Sequence, residues 1–273
     1  MKQMIELYED IINNGVYRGD RTGTGTISVF GRQLRFNLQE GFPLMTTSKM
    51  FLKGIIHELL WFLKGDSNIQ YLLENDVHIW DEWATEEGNI GPMYPSVWTR
   101  WETSSGESIN QIAKLMEGLK KYPYSRRHIV SAWNTPFIPD EGISPQDNVK
   151  QGKMALAPCH VLFQFFVEPY TENGVMVFHE ETKKPLTKLS CMLTQRSADT
   201  LVGSCFNIPS YSLLTMMVAH CLDMVPGDFI YTLGDAHIYL NQVDIYQTEQ
   251  ANNPCLPLPA LKINTTNKDI FGF

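Results

Sequence analysis

The stretch from Ile208 to Met224 reads as one long apolar helix, and its Met216, Met217 and Cys221 are most simply core. A helix of that kind has to be packed by other elements, and the sequence supplies both kinds. Met4, Ile5, Leu7, Tyr8, Ile11 and Ile12 share one face of a helix over Met4 to Asn13, ended by Asn14-Gly15. Gly54 to Leu63 predicts a second, strongly apolar helix, and Leu115 to Lys121 completes a third. Strands are expected over Ile27 to Phe36, His128 to Trp133, Leu189 to Gln195 and Asp228 to Leu233. A turn and short strand are expected at Phe42 to Thr47, and a last short strand at Leu261 to Ile263. With no internal repeat and no Gly/Ser linker, the expectation is an α+β fold. A mixed sheet is flanked by helices in a single domain over 1–273, with surface insertions near 136–152 and 169–187. At 273 residues and 43% hydrophobic, the chain is long enough for one large core.

The formal charge of −8 argues against a general nucleic-acid or membrane-surface binder, because phosphate tracking needs a basic field. Any anion must be met by a local cluster. The cysteines Cys159, Cys191, Cys205, Cys221 and Cys255 are odd in number and form no CxxC pair, so neither a disulfide framework nor a metal site is indicated. The amino terminus lacks an apolar signal core and no run reaches membrane-spanning length, so a cytoplasmic setting is expected.

Three short motifs carry chemistry: Ala155-Leu156-Ala157-Pro158-Cys159-His160, Gln195-Arg196-Ser197-Ala198-Asp199 and Phe206-Asn207-Ile208. A thiol with basic and amide partners and a carboxylate suits a nucleophile that attacks an anionic, heteroaromatic substrate. Cys159 taken alone fits an inert buried thiol as well. The loop Asp20 to Thr26 offers backbone N–H groups, hydroxyls and Arg21 to a phosphate, or is a hairpin turn with a solvated arginine. Glu58 lies in an apolar Ile-Ile-His-Glu-Leu-Leu-Trp-Phe-Leu run, where a carboxylate is paired, functional, or at a helix end on the surface. Trp80, Trp83, Trp98 and Trp101 with Tyr94 form either core or the flat walls of a site for a planar ring. Arg126-Arg127 follows a turn and by itself reads as solvated charge, while Gly234 to Tyr239 brings a further imidazole and phenol.

With Asp20 to Gly25, His57 to Phe62, Ile79 to Trp83, Ser125 to Trp133, Ala155 to His160, Gln195 to Asp199, Phe206 to Tyr211 and Gly234 to Tyr239 in order, the chain closely resembles thymidylate synthase over nearly its whole length. The resemblance implies that Cys159 adds to C6 of 2′-deoxyuridylate, so that C5 becomes a carbon nucleophile toward 5,10-methylenetetrahydrofolate, the co-substrate. Arg196 is implied to lower the thiol pKa and to touch phosphate. Arg21, Arg196 and Ser197, with Arg126 and Arg127 reaching across from the second subunit of a homodimer, resemble the family's phosphate cage. Asn207 matches the amide that reads the uracil O4/N3 edge, beside Gln195, and favours dUMP over dCMP. His237 and Tyr239 match the pair on the ribose 3′-hydroxyl. Glu58 matches the acid that moves protons at O4 through water, and Tyr94 stands where C5 is deprotonated. Trp80 and Asp199 face the folate, with Trp83 and Phe206 on the same side.

Departures from the family pattern cluster on the folate side. The usual Gly-Pro-x-Tyr-Gly-Lys appears as Gly91-Pro92-Met93-Tyr94-Pro95-Ser96, and Gly-Leu-Pro-Phe-Asn appears as Gly203-Ser204-Cys205-Phe206-Asn207. Ser48 stands where a folate-contacting lysine is common, and the given sequence stops at Phe271-Gly272-Phe273, without the family's closing tail. A wetter site favours water as the quencher of the exocyclic methylene intermediate. The expected activity is therefore that of a dUMP hydroxymethylase making 5-hydroxymethyl-dUMP, a relative known from phages that replace thymine in their DNA. The alternative is a thymidylate synthase that makes dTMP and dihydrofolate by hydride transfer. A catalytically dead homologue that regulates by binding nucleotide or RNA is a third reading, opposed by Cys159, Arg196, Glu58 and Tyr94.

Overall fold

A computed structural model describes residues 1–19, 23–248 and 250–273. In chain order the elements are α1 (Lys2–Asn14), β1 (Val16–Arg18), β2 (Thr26–Asn37), α2 (Leu52–Lys64), α3 (Gln70–Glu74), α4 (Tyr94–Thr99), β3 (Trp101–Glu102), β4 (Ser108–Ile109), α5 (Gln111–Lys121) and β5 (Ile129–Ser131). There follow α6 (Pro145–Lys150), β6 (His160–Pro169), β7 (Thr171–Glu172), β8 (Val175–Met176), β9 (Thr187–Asp199), α7 (Gly203–Cys221), β10 (Val225–Tyr239) and α8 (Leu240–Thr248). They separate into two compact units, Met1–Phe51 with Val167–Thr265, and Leu52–Phe166 with Thr266–Phe273.

The first unit is built on a mixed sheet, as the α+β reading requires. β10 runs antiparallel to β2 over eleven register pairs from Asp228↔Asn37 to Tyr239↔Thr26, and parallel to β9 with a register shift between Pro226 and Phe229. α1 turns Met4, Leu7, Tyr8 and Ile11 inward, the 3.6-residue spacing of an amphipathic helix. α7 is apolar on all sides and is buried almost throughout, so it forms the core of this unit. It begins at Gly203, earlier than the apolar run alone suggests, and carries Pro209 inside it.

The second unit is mainly helical, with β5 and β6 pairing antiparallel from Ile129↔Gln164 to Ser131↔Leu162. α5 starts where the Asn110 side chain accepts the Ala113 N–H, and it ends on Lys120 and Lys121, which suit the negative end of the helix dipole. The segment 136–152 contains α6, capped by Ser144 with Pro145 in the first turn. The segment 169–187 carries the β7/β8 hairpin, Thr171↔Met176 and Glu172↔Val175.

Two expected strands are absent among the described residues. Phe42 to Thr47 is irregular, with Phe42 donating its N–H to the Pro259 carbonyl, and Leu261 to Ile263 forms no ladder. Pro254, Pro257 and Pro259 lie just upstream of that last segment, and proline removes ladder donors. Among the described residues no helix is long and apolar enough to cross a membrane.

Candidate active site

In the second unit the nucleophile candidate sits one residue before β6, so it is a loop residue at a strand's start. Cys159 is half-buried and free of any disulfide. The loop is fixed before it arrives: Met154 donates its N–H to the Phe137 carbonyl at 2.9 Å, and Ala155 donates to Ile90 at 3.0 Å. Gly91 makes that approach possible, because a Cβ on it would lie 2.1 Å from the Lys153 carbonyl oxygen and its φ is +70°.

The phenol oxygen of Tyr94, at the start of α4, accepts the backbone N–H of Cys159 at 2.9 Å and that of His160 at 3.2 Å. Its ring stacks on the His160 imidazole, with centroids 4.9 Å apart and planes 24° from parallel. Tyr94 is only 5% exposed, and burial, with Cys159 nearby, pushes its pKa well above that of an ordinary phenol. Tyr94 is therefore a neutral phenol at physiological pH.

Glu58 lies on α2 among apolar neighbours and is buried, which rejects the surface-carboxylate alternative. One carboxylate oxygen accepts the Trp80 indole N–H at 2.8 Å. Burial outweighs that hydrogen bond and pushes the Glu58 pKa up to about 7. A carboxyl that titrates there can both hold and release a proton near neutrality.

The aromatic cluster around it is largely core. Trp61 and Trp98 are fully buried, and Phe62 lies 5.1 Å from Tyr94, 5.2 Å from Trp98 and 6.5 Å from Trp80, measured between ring centroids. Only Trp83 and Trp101 are half-buried; Trp83 ends a short helical turn, Asp81–Trp83. Arg126 and Arg127 are exposed on the turn before β5, where Ser125 Oγ accepts the Arg127 N–H at 3.3 Å.

In the first unit a second group of side chains gathers at the ends of two parallel strands. On β9, Gln195 and Ala198 point into the core, Arg196 is exposed, and Ser197 and Asp199 are half-buried. The register sets Ser197 beside Asp235 and Asp199 beside His237. His237 Nδ1 lies 3.0 Å from Asp235 Oδ1, and Arg18 forms a second partner of that carboxylate at 2.5 Å. The hydrogen bond with His237, ahead of the Arg18 charge, holds the Asp235 pKa below the usual range. Tyr239 meets the His237 ring edge-on at 5.3 Å. Asp199 Oδ1 accepts the N–H groups of Leu201 and Val202, and its other oxygen accepts from Gln242 Nε2 at 3.4 Å. Asn207 is buried in the second turn of α7. Arg21 lies outside the described residues.

A half-buried Phe206 and an exposed Val202 lie four residues apart at the start of α7, and the Val202 N–H meets the Asp199 carboxylate. The substituted Ser204 and Cys205 point elsewhere. Ser204 Oγ meets Tyr231 OH at 3.0 Å, and Cys205 Sγ sits 3.5 Å from Tyr8 OH and donates to the Leu201 carbonyl, so both fill the core. Reading motifs one at a time misses Asp235, Gln242 and Tyr231; only Asp235 lies within a recognised motif.

The backbone of β10 also shapes the site. A Cβ on Gly234 would lie 2.6 Å from the Arg196 carbonyl oxygen. Gly234→Ala is therefore expected to destabilise the fold by about 1–3 kcal/mol, because backbone has to shift at Arg196. Thermal melts check this; an unchanged melting temperature would show that the strands absorb the Cβ without strain.

The residues in both units follow the order that first suggested the family, and the sequence model described as thymidylate synthase matches residues 2–273. The chain belongs to the thymidylate synthase family, which makes it a folate-dependent one-carbon transferase for C5 of dUMP.

Proposed function

We propose that Cys159 is the nucleophile that adds to C6 of dUMP and that the methylene intermediate at C5 is then captured by water, giving 5-hydroxymethyl-dUMP. The observation that carries the nucleophile assignment is the Tyr94 phenol oxygen holding the backbone of both Cys159 and His160. It ties the thiol to the phenol assigned to C5 deprotonation. Addition needs covalent help because C5 of uracil is otherwise a weak nucleophile.

In this reading Glu58 moves a proton at O4, and its raised pKa suits a group that gives and takes protons near neutral pH. Asn207 supplies one donor and one acceptor to the O4/N3 edge, with Gln195 behind it. Arg196 and Ser197, with Arg21, hold the phosphate, and exposed Arg126 and Arg127 serve the second subunit of a two-fold pair. His237 and Tyr239 take the 3′-hydroxyl. Trp80, Trp83, Phe206 and Asp199 are the groups assigned to the folate, which supplies the one-carbon unit.

Water capture is supported by the short polar side chains Ser48 and Ser96, which stand where the family pattern carries lysine. The second reading, hydride transfer to give dTMP, is favoured by Trp80, an 8%-exposed indole locked on Glu58 that keeps a bulky apolar wall beside the acid. Incubation with dUMP and methylenetetrahydrofolate, followed by absorbance and mass spectrometry, separates them. A nucleotide carrying a hydroxymethyl group without dihydrofolate is the expected result; dTMP with dihydrofolate overturns water capture.

A further inference from the structure

We infer that Tyr231 and Ser204 are positioning residues that set the affinity for the substrate phosphate by fixing the backbone of Arg196. The inference rests on the assignment of Arg196 and Ser197 to the phosphate, and it gives the substituted Ser204 a task.

The geometry determines every donor in a buried chain of hydrogen bonds. Tyr231 donates its hydroxyl hydrogen to Gln195 Oε1 at 2.8 Å. A phenol has one such hydrogen, so at the 3.0 Å contact Ser204 Oγ donates to the phenol oxygen. Gln195 Oε1 is thereby an acceptor, and its Nε2 donates to the Ser197 carbonyl at 3.0 Å. The last bond closes a small ring that contains the backbone of Arg196. Tyr231, Ser204 and Gln195 are all at most 3% exposed, so no water replaces a lost partner at low cost.

Arg196 itself is exposed, on the side of β9 opposite Gln195. A strand residue whose neighbours are clamped on the inner face has its outward direction set by that clamp. The guanidinium is long and rotamer-rich, and a phosphate gains most from it when its backbone is already fixed. Gly234, pressed against the Arg196 carbonyl, holds the same peptide from the neighbouring strand. Ser204 orients the phenol, the phenol fixes the amide, and the amide fixes the strand.

The test compares dUMP with deoxyuridine, which lacks only the phosphate, by equilibrium titration and ligand-observed NMR on the full chain. Tyr231→Phe leaves Gln195 Oε1 buried without its donor and is expected to weaken dUMP about tenfold and deoxyuridine much less, since Gln195 stands only behind Asn207 on the base. Ser204→Ala is expected to cost about threefold in the same phosphate-dependent manner, with Ser204→Thr restoring it and the double variant no worse than Tyr231→Phe alone. If Tyr231→Phe does not fold, Ser204→Ala and its threonine rescue carry the test. Equal losses for dUMP and deoxyuridine, or no loss for either, overturn the inference. Arg196→Ala is the control that separates the two levels. If it weakens dUMP while Tyr231→Phe does not, the positioning role fails alone; if it leaves dUMP binding unchanged, the phosphate assignment fails and takes the inference with it.

Discussion

Cys159→Ser is expected to remove turnover, by at least about a thousandfold, while dUMP still binds. A serine hydroxyl at neutral pH is a far weaker nucleophile than a thiolate, and C5 gains its reactivity only after attack at C6. Shape is not the cause of the loss. The backbone N–H of residue 159 meets Tyr94, so the bond at 2.9 Å survives the change. Single-turnover assays with a dUMP titration check it. Persistent turnover would remove Cys159 from the nucleophile role, and lost dUMP binding would mean that the side chain also builds the pocket.

Glu58→Gln is expected to move stability and activity in opposite directions. The ordinary glutamate pKa of 4.5 is raised in the fold to about 7. Between those values the unfolded chain has released this proton and the folded chain keeps it, so rising pH favours unfolding. The stability tied to Glu58 is full below pH 4.5, falls through that window and levels off above 7. Its loss amounts to about 3 kcal/mol at pH 8. Glutamine keeps an oxygen for the Trp80 indole and carries no charge, so the variant should be the more stable protein at pH 8 by up to that amount. Near pH 4.5 the two should match. Activity should fall about a hundredfold or more, because an amide does not exchange protons at O4. Denaturant melts across pH 4.5 to 8 decide it; a stability difference that does not grow with pH would show that Glu58 is not held protonated.

The parts of this molecule that follow local rules are legible in the sequence. α1 announces itself by Met4, Leu7, Tyr8 and Ile11, and β10 lies where β-branched and aromatic residues cluster. Burial of Glu58 follows from its apolar neighbours, but its partner does not, since Trp80 stands twenty-two residues away and joins it only after the helices pack. Tyr94 is legible as a family position, yet its bonds to Cys159 and His160 span sixty-five and sixty-six residues and leave no local trace. The tryptophans near α4 leave core and wall both open by composition; burial of Trp98 assigns it to core. Ser204 and Cys205 look like changes to a folate pocket when aligned by motif. Side-chain direction on α7 turns them toward Tyr231 and Tyr8 instead.

The Tyr94 bonds have a consequence for how such a chain diverges. The sulfur's address is written in a phenol far away in sequence, while the loop that delivers it is tied at its start by the Ala155 N–H on the Ile90 carbonyl. At Tyr94 two ties meet in one atom, so any residue lacking that oxygen releases both amides at once.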